Sequence, residues 1–260
     1  MLYALILSAT AGFATTLGGV LGMLYRKGDH KWLSASLGFS AGVMIYVSFM
    51  ELFANGQDIL MEYFGSFRGG MRSLISFLIG IMVVIAVNRL IPDLRGPDIA
   101  QNNSGHDGYS KSLWRTGMLT TIVIALHNFP EGMVTFLGSL ENPRIGLMLS
   151  IAIAIHNIPE GMAVYIPVYE ATHNRKKAMW MTFLSGMTEP IGALLAYFLL
   201  MPVLTPVLLQ QINIAIAGIM VYISLDELLP AAKEYGHYHL AMLGLTSGMI
   251  VMGLSLVLLS

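Results

Sequence analysis

Cysteine is absent from the 260 residues, which removes disulfides, thiolate nucleophiles and sulfur-ligated metal sites together. Charge is scarce: only 11% of residues are Asp, Glu, Lys or Arg, against about 25% in an ordinary soluble domain. With a net charge of −1, nothing speaks for binding nucleic acid. No Gly-x-x-x-x-Gly-Lys-Ser/Thr phosphate loop occurs, which argues against a nucleotide-driven pump, and the zinc-protease signature His-Glu-x-x-His is missing. The amino terminus, Met1-Leu2-Tyr3-Ala4-Leu5, has no positive region before its apolar run, which argues against a cleaved signal peptide. What is present in abundance is hydrocarbon: 55% of the chain is hydrophobic. A water-soluble fold would have to leave much of that surface exposed as patches. The composition predicts an all-α, polytopic membrane protein embedded in the lipid bilayer, with no soluble domain.

A spanning helix needs about 20 apolar residues. That window predicts eight transmembrane helices, at 2–25, 32–54, 71–92, 114–138, 144–168, 179–201, 206–229 and 239–259. They form a single transmembrane domain over 1–260: helices 1–3 in 1–92, a cytoplasmic loop at 93–113, a helix 4–5 hairpin in 114–168, and helices 6–8 in 179–260. The 93–113 loop is polar and reads as mobile; its His106 and Asp107 are ordinary loop residues or weak ligands. Eleven of the fourteen Lys and Arg residues fall at connections 1–2, 3–4, 5–6 and 7–8, leaving Arg68, Arg72 and Arg144 on the other side. By the positive-inside rule the first set is cytoplasmic, and both termini are extracytoplasmic.

The chain repeats itself. Residues 41–52 (Ala41-Gly42-Val43-Met44-Ile45-Tyr46-Val47-Ser48-Phe49-Met50-Glu51-Leu52) recur at 217–228 (Ala217-Gly218-Ile219-Met220-Val221-Tyr222-Ile223-Ser224-Leu225-Asp226-Glu227-Leu228), with seven of twelve positions identical. The two segments lie in helices 2 and 7, which cross in opposite directions. Helices 1–3 therefore mirror 6–8 around a central hairpin, a 3+2+3 inverted-repeat arrangement. Such repeats are typical of secondary transporters, whose substrate site lies at the repeat interface near mid-membrane.

That hairpin holds two copies of one hexapeptide, His127-Asn128-Phe129-Pro130-Glu131-Gly132 and His156-Asn157-Ile158-Pro159-Glu160-Gly161. Ionisable groups inside a membrane are expensive, need partners, and usually mark a pathway for something charged. His127 and Glu131 are four residues apart and share a helix face, as do His156 and Glu160; Asn128 and Asn157 lie about 100° further round. The connection near 141–142 falls midway between the histidines, so both motifs reach a similar depth, about 20 Å from that end. Together they offer imidazole, carboxylate and amide oxygen to a divalent cation. Pro130 and Pro159 free the carbonyls of Leu126 and Ile155 and bend their helices. Glu189, joined to Pro190 in helix 6, is a further buried carboxylate fitting the same space. Glu51 falls toward the outside and Asp226 and Glu227 toward the cytoplasm, so the acids trace a pathway; a solvated helix end is the other reading for those three.

The paired His-Asn-x-Pro-Glu-Gly motifs on helices 4 and 5, with the 40–51 and 221–230 segments, resemble the ZIP (Zrt/Irt-like) divalent metal transporters, and most of all their bacterial zinc-uptake branch. The resemblance covers essentially the whole chain. It implies a two-metal centre: a first site of His127, Glu131, His156 and Glu160, and a second of Asn128, Asn157 and Glu189, with Glu131 and Glu160 bridging. It also implies a methionine contact from helix 2, where Met44 matches; on its own Met44 would be a packing residue. The resemblance also implies a departure, since some members of that family have aspartate at the position of Asn157 and glutamine at that of His156. The same resemblance implies transport of Zn2+, with Fe2+, Mn2+, Co2+ or Cd2+ also accepted, into the cytoplasm. It implies no cofactor beyond the transported ions, no enzymatic activity, a homodimer moving by an elevator-like alternation, and a place in the bacterial cytoplasmic (inner) membrane. The competing class is an intramembrane metal-dependent hydrolase. It would use the same ligands plus a water in an open position, and would leave both the inverted symmetry and the line of acids unexplained.

Overall fold

The structure, a computed structural model, describes residues 1–24, 30–90, 106–234 and 236–259. Among the described residues it is helical throughout, in eight rods. Helix α1 is Leu2–Gly22; α2 begins as His30–Val47, passes through a π-helical turn at Ser48–Phe53, and continues as Ala54–Phe64. Helix α3 is Ser66–Leu90, α4 is His106–Glu141 and α5 is Pro143–Thr172. Helix α6 runs as Arg175–Gly186 and, after a break at Met187, as Thr188–Leu195, with a π-helical turn at Ala196–Leu200. Helix α7 is Pro206–Ile223 with a π-helical turn at Ser224–Leu228 and a last segment Leu229–Glu234; α8 is Tyr238–Leu259.

Among the described residues, seven helices, α1, α2, α3, α5, α6, α7 and α8, are long and apolar enough to cross a membrane. They turn large apolar side chains outward, among them Leu2, Trp32, Phe67 and Val257, each at least 70% exposed. Polar groups such as Asn128, Glu131, His156 and Glu189 are wholly buried. That inside-out distribution is what lipid as solvent selects. The chain is a multi-pass integral membrane protein.

The joints follow local chemistry. Asn142 alone separates α4 from α5: its side chain accepts a hydrogen bond from the Arg144 N–H at 2.9 Å, and Pro143 occupies the first helical position. Asn174 and Thr205 cap α6 and α7 in the same way, and Gly65, at φ 78°, ends α2. Two boundaries differ most from the apolar window. Helix α2 continues ten residues past 54, to Phe64. The polar stretch from Asn55 to Asp58 keeps a helical period that buries Gly56 and Leu60. Helix α4 starts at His106 rather than 114, so 106–113 of the expected loop is helical backbone, while 93–105 and the side chains of His106 and Asp107 lie outside the described residues.

The rods pack as two bundles. Helices α1, α4, α5 and α6 form one, and α2, α3, α7 and α8 the other; α1 lies on α5 as α6 lies on α4, and α2 on α8 as α7 on α3. The seam between them is mainly α2 against α5 and α7 against α4. It is apolar at its middle, where Met44, Val47, Val134, Leu149, Ile153 and Met220 join one buried cluster. Among the described residues, glycines that let two helices approach closely do so within a bundle and not across the seam. The repeats are visible as shape too: Ser48–Phe53 and Ser224–Leu228 are π-helical turns at equivalent places in α2 and α7. Such turns recur at functional sites.

Candidate metal centre

Because one residue joins α4 to α5, the two hexapeptides run antiparallel and meet at the same depth. Glu131, His156 and Glu160 are each fully buried, and their ligand atoms lie within 4.8 Å of one another. The His156 ring fixes the chemistry. Its Nδ1 sits 3.1 Å from the Ala152 carbonyl, which can only accept, so Nδ1 carries the proton. Nε2 then presents its lone pair to Oε1 of Glu131 at 3.0 Å. Two acceptors face each other, which requires a proton or a cation between them. Zinc–nitrogen and zinc–oxygen bonds of about 2.0–2.2 Å suit ligand atoms at that separation. The side chain of His127 lies outside the described residues.

Glu160 is held from the other bundle: Ser40 of α2, fully buried, donates its hydroxyl to Oε1 of Glu160. Met44 follows one turn along the same face of α2, wholly buried in the seam cluster.

Asn128, Asn157 and Glu189 form an adjoining group, also without exposure. The Asn157 amide donates to the Ala11 carbonyl at 3.0 Å and to Oε1 of Glu189; the Asn128 amide donates to the Ser185 carbonyl at 3.2 Å. These bonds fix both amides. Among the described residues they leave each Oδ1 without a donor, as are Oε2 of Glu131 and of Glu189. Four buried acceptor oxygens without donors are costly in a dry interior. A bound cation would satisfy them.

The backbone is shaped around the same place. A side chain on Gly132 would strike the Glu189 carbonyl, and one on Gly161 the Thr15 carbonyl, so each motif's glycine seats its helix on α6 or α1. The α6 break puts Glu189 in the first turn of its second segment, where helix N–H groups favour a carboxylate. These contacts come in pairs: Asn128 and Gly132 reach Ser185 and Glu189 on α6, while Asn157 and Gly161 reach Ala11 and Thr15 on α1. Thr15 is thus the counterpart of Glu189, with its buried hydroxyl unpartnered among the described residues.

Ser40 and Thr15 are residues that the sequence pattern does not single out. Ser40 differs in no way from other membrane serines until its contact is seen. The α1–α6 equivalence preserves little identity beyond Gly12 and Gly186. The acids named as pathway residues lie apart from this cluster. Glu51 is in the π-helical turn of α2, facing a small cavity at the end of the α4–α5 turn, and Asp226 and Glu227 are in the equivalent turn of α7. Glu227 also borders a larger apolar cavity of about 380 Å³ between α3, α4 and α7.

Comparison with known proteins bears on this arrangement. The family model described as ZIP Zinc transporter matches residues 96–256. A curated protein named zinc transporter ZupT from Streptococcus mutans is 46% identical over 255 residues, covering 98% of this chain and 97% of its own. One of the same name from Chlorobium luteolum is 48% identical over 260 residues, covering 99% and 98%. Another, from Clostridium perfringens, is 43% identical over 274 residues, covering 99% and 96%.

Proposed function

Since the chain belongs to the ZIP zinc transporter family, we propose that it carries Zn2+ across the membrane into the cytoplasm, through a centre built on α4, α5 and α6. It is a transporter and not an enzyme; the hydrolase reading finds no support in relatives that are each named a zinc transporter. The observation that carries the assignment of the centre is the buried cluster of Glu131, His156 and Glu160 beside four donor-less oxygens. Its donors are imidazole, carboxylate and amide oxygen, a mixed set that takes zinc and tolerates neighbouring divalent ions. We assign His127, Glu131, His156 and Glu160 to one metal and Asn128, Asn157 and Glu189 to a second, with Glu131 and Glu160 shared. Met44 stands one turn from Ser40, on the face that looks toward the centre.

The finer architecture belongs to the same reading. The seven qualifying helices and α4 make eight crossings in a 3+2+3 inverted repeat, with the Lys/Arg-rich connections in the cytoplasm and both termini outside. Two bundles joined by an apolar seam, with the close glycine contacts kept inside each bundle, support alternation of the α1/α4/α5/α6 bundle against a frame of α2, α3, α7 and α8. Glu51 then serves the outer side and Asp226 and Glu227 the inner. A homodimer and a bacterial inner-membrane location rest on the family resemblance.

The test is uptake of radiolabelled zinc into sealed vesicles holding the purified protein. Wild type accumulates label above empty vesicles. Glu131→Ala, His156→Ala and Glu160→Ala each lower the rate by at least about a hundredfold, because each strips a direct ligand. Asn128→Ala and Glu189→Ala act more mildly or shift the preferred metal. Equal and complete loss at all five positions, at normal expression, would overturn the division into two sites.

A further inference from the structure

The small polar cavity beside Glu51 lies across the seam at the α4–α5 turn end, and nothing in the centre described above accounts for it. Its volume is about 40 Å³, room for one ion and a water or two. Glu51 and Asn55 of α2 face Glu141 of α4 and Gln210 and Asn213 of α7 around it. Asn55 lies beside Glu51 on the rim, and the Glu51 carboxyl faces that of Glu141 across the space. Gln210, 4% exposed, donates from Nε2 to Oε1 of Glu141 at 3.2 Å. Asn213 is 6% exposed, and its Oδ1 is buried without any donor among the described residues. Two carboxylates, Glu51 half-buried and Glu141 at the exposed rim, therefore line one small volume together with Asn213 and its donor-less amide oxygen.

The cavity also sits over the centre. Along α4, Glu131, Val134, Gly138 and Glu141 follow one another at three- and four-residue steps, which places them on a single face. On α5 the same stepping links Leu149, Ile153, His156 and Glu160, and on α2 it links Ser40, Met44, Val47 and Glu51. Each stripe begins at the cavity wall, passes through buried apolar residues and ends at the buried cluster. The apolar layer of Val134, Leu149, Ile153, Met44 and Val47 is the plug between them.

We propose that this cavity is a capture site for a divalent cation, assembled from Glu51, Glu141 and Asn213 with Gln210 and Asn55 in support. Its donors are all oxygen, with neither imidazole nor thioether. It therefore holds a partly hydrated cation weakly and with little discrimination, accepting Mn2+ and Ca2+ as well as Zn2+. Selection is left to the imidazole-containing centre beyond the plug. Because Glu141 belongs to one bundle and Glu51 and Asn213 to the other, displacement of one bundle along the seam takes the site apart and releases its ion. The assignment as a step of uptake rests on the transport reading; the binding itself does not.

The experiment is equilibrium dialysis of full-length protein in lipid nanodiscs, with bound metal counted by mass spectrometry. In a Glu131→Gln/His156→Ala/Glu160→Gln/Glu189→Gln background, which strips charged ligands from both metals of the centre, one Zn2+ per chain remains bound and is displaced by excess Mn2+ or Ca2+. Adding Glu141→Gln abolishes that binding. Adding Asn213→Asp instead tightens it about tenfold, since ligand charge sets affinity at all-oxygen sites, and this gain does not depend on how well the Gln variant folds. Absence of residual zinc in the disabled background, or residual zinc indifferent to both substitutions, overturns the capture site. Failure of wild-type uptake in sealed vesicles, with the residual binding intact, overturns transport and leaves the site standing.

Discussion

His156 is useful at the centre because of what lies behind it. The Ala152 carbonyl accepts a hydrogen bond from Nδ1–H and so leaves the other nitrogen to act as a ligand. Ser40 does related work on Glu160, holding one carboxylate oxygen from across the seam. Removing that hydroxyl leaves the metal ligands in place but lets one of them turn. Ser40→Ala is accordingly expected to raise the KM for zinc by about tenfold, the scale of outer ligand-orienting contacts, in a concentration series of vesicle uptake. An unchanged KM would make the contact ornamental. At this scale the sequence is informative where chemistry is unusual for lipid. A histidine and a glutamate four residues apart, written twice, stand out against hydrocarbon. A serine does not, because hydroxyls in membrane helices commonly bond back to their own helix, as Ser139 does to the Thr135 carbonyl at 2.6 Å.

Helices meet here through backbone as much as through side chains. Gly161 lets α5 lie against the Thr15 carbonyl of α1, and a methyl group has no room there. Gly161→Ala is expected to cost about 1–3 kcal/mol through overpacking. It would appear as a lower melting temperature in detergent together with weaker zinc binding, because Glu160 is the preceding residue. That the chain is a series of long apolar helices crossing a membrane was legible from apolar windows, since about 20 residues of hydrocarbon leave a chain few alternatives. Their ends were not. The extension of α2 from 55 to 64 is amphipathic rather than apolar and escapes a hydropathy window. The break in α6 at Met187 was flagged only by Pro190, whose missing N–H interrupts the ladder. The α2–α7 repeat could be read because Met44 and Met220, Ser48 and Ser224, and Glu51 and Glu227 kept their identities. The α1–α6 equivalence keeps only its backbone contacts, where Thr15 answers Glu189, and sequence comparison has nothing to hold there.

At the scale of the molecule, two bundles interlock internally through glycines and meet each other along larger apolar side chains. Val47 of α2 and Ile153 of α5 belong to the cluster at that seam. A chain without cysteine allows a clean test. Val47→Cys paired with Ile153→Cys, joined by a mercury or short bifunctional crosslink, is expected to bring uptake down to the level of empty vesicles. A reductant restores it with the cleavable linker, and free passage after complete crosslinking would rule out movement between α2 and α5. The complete burial of Glu131, His156 and Glu160 also sets a clock. An ion held there meets no solvent, so no chelator can attack it in place; it departs only when the protein opens. Zinc-loaded protein diluted into excess chelator should then lose metal at a rate fixed by that opening, unchanged when the chelator is raised about tenfold. A rate climbing in proportion to chelator would mean that the ion is reachable from water in the resting protein.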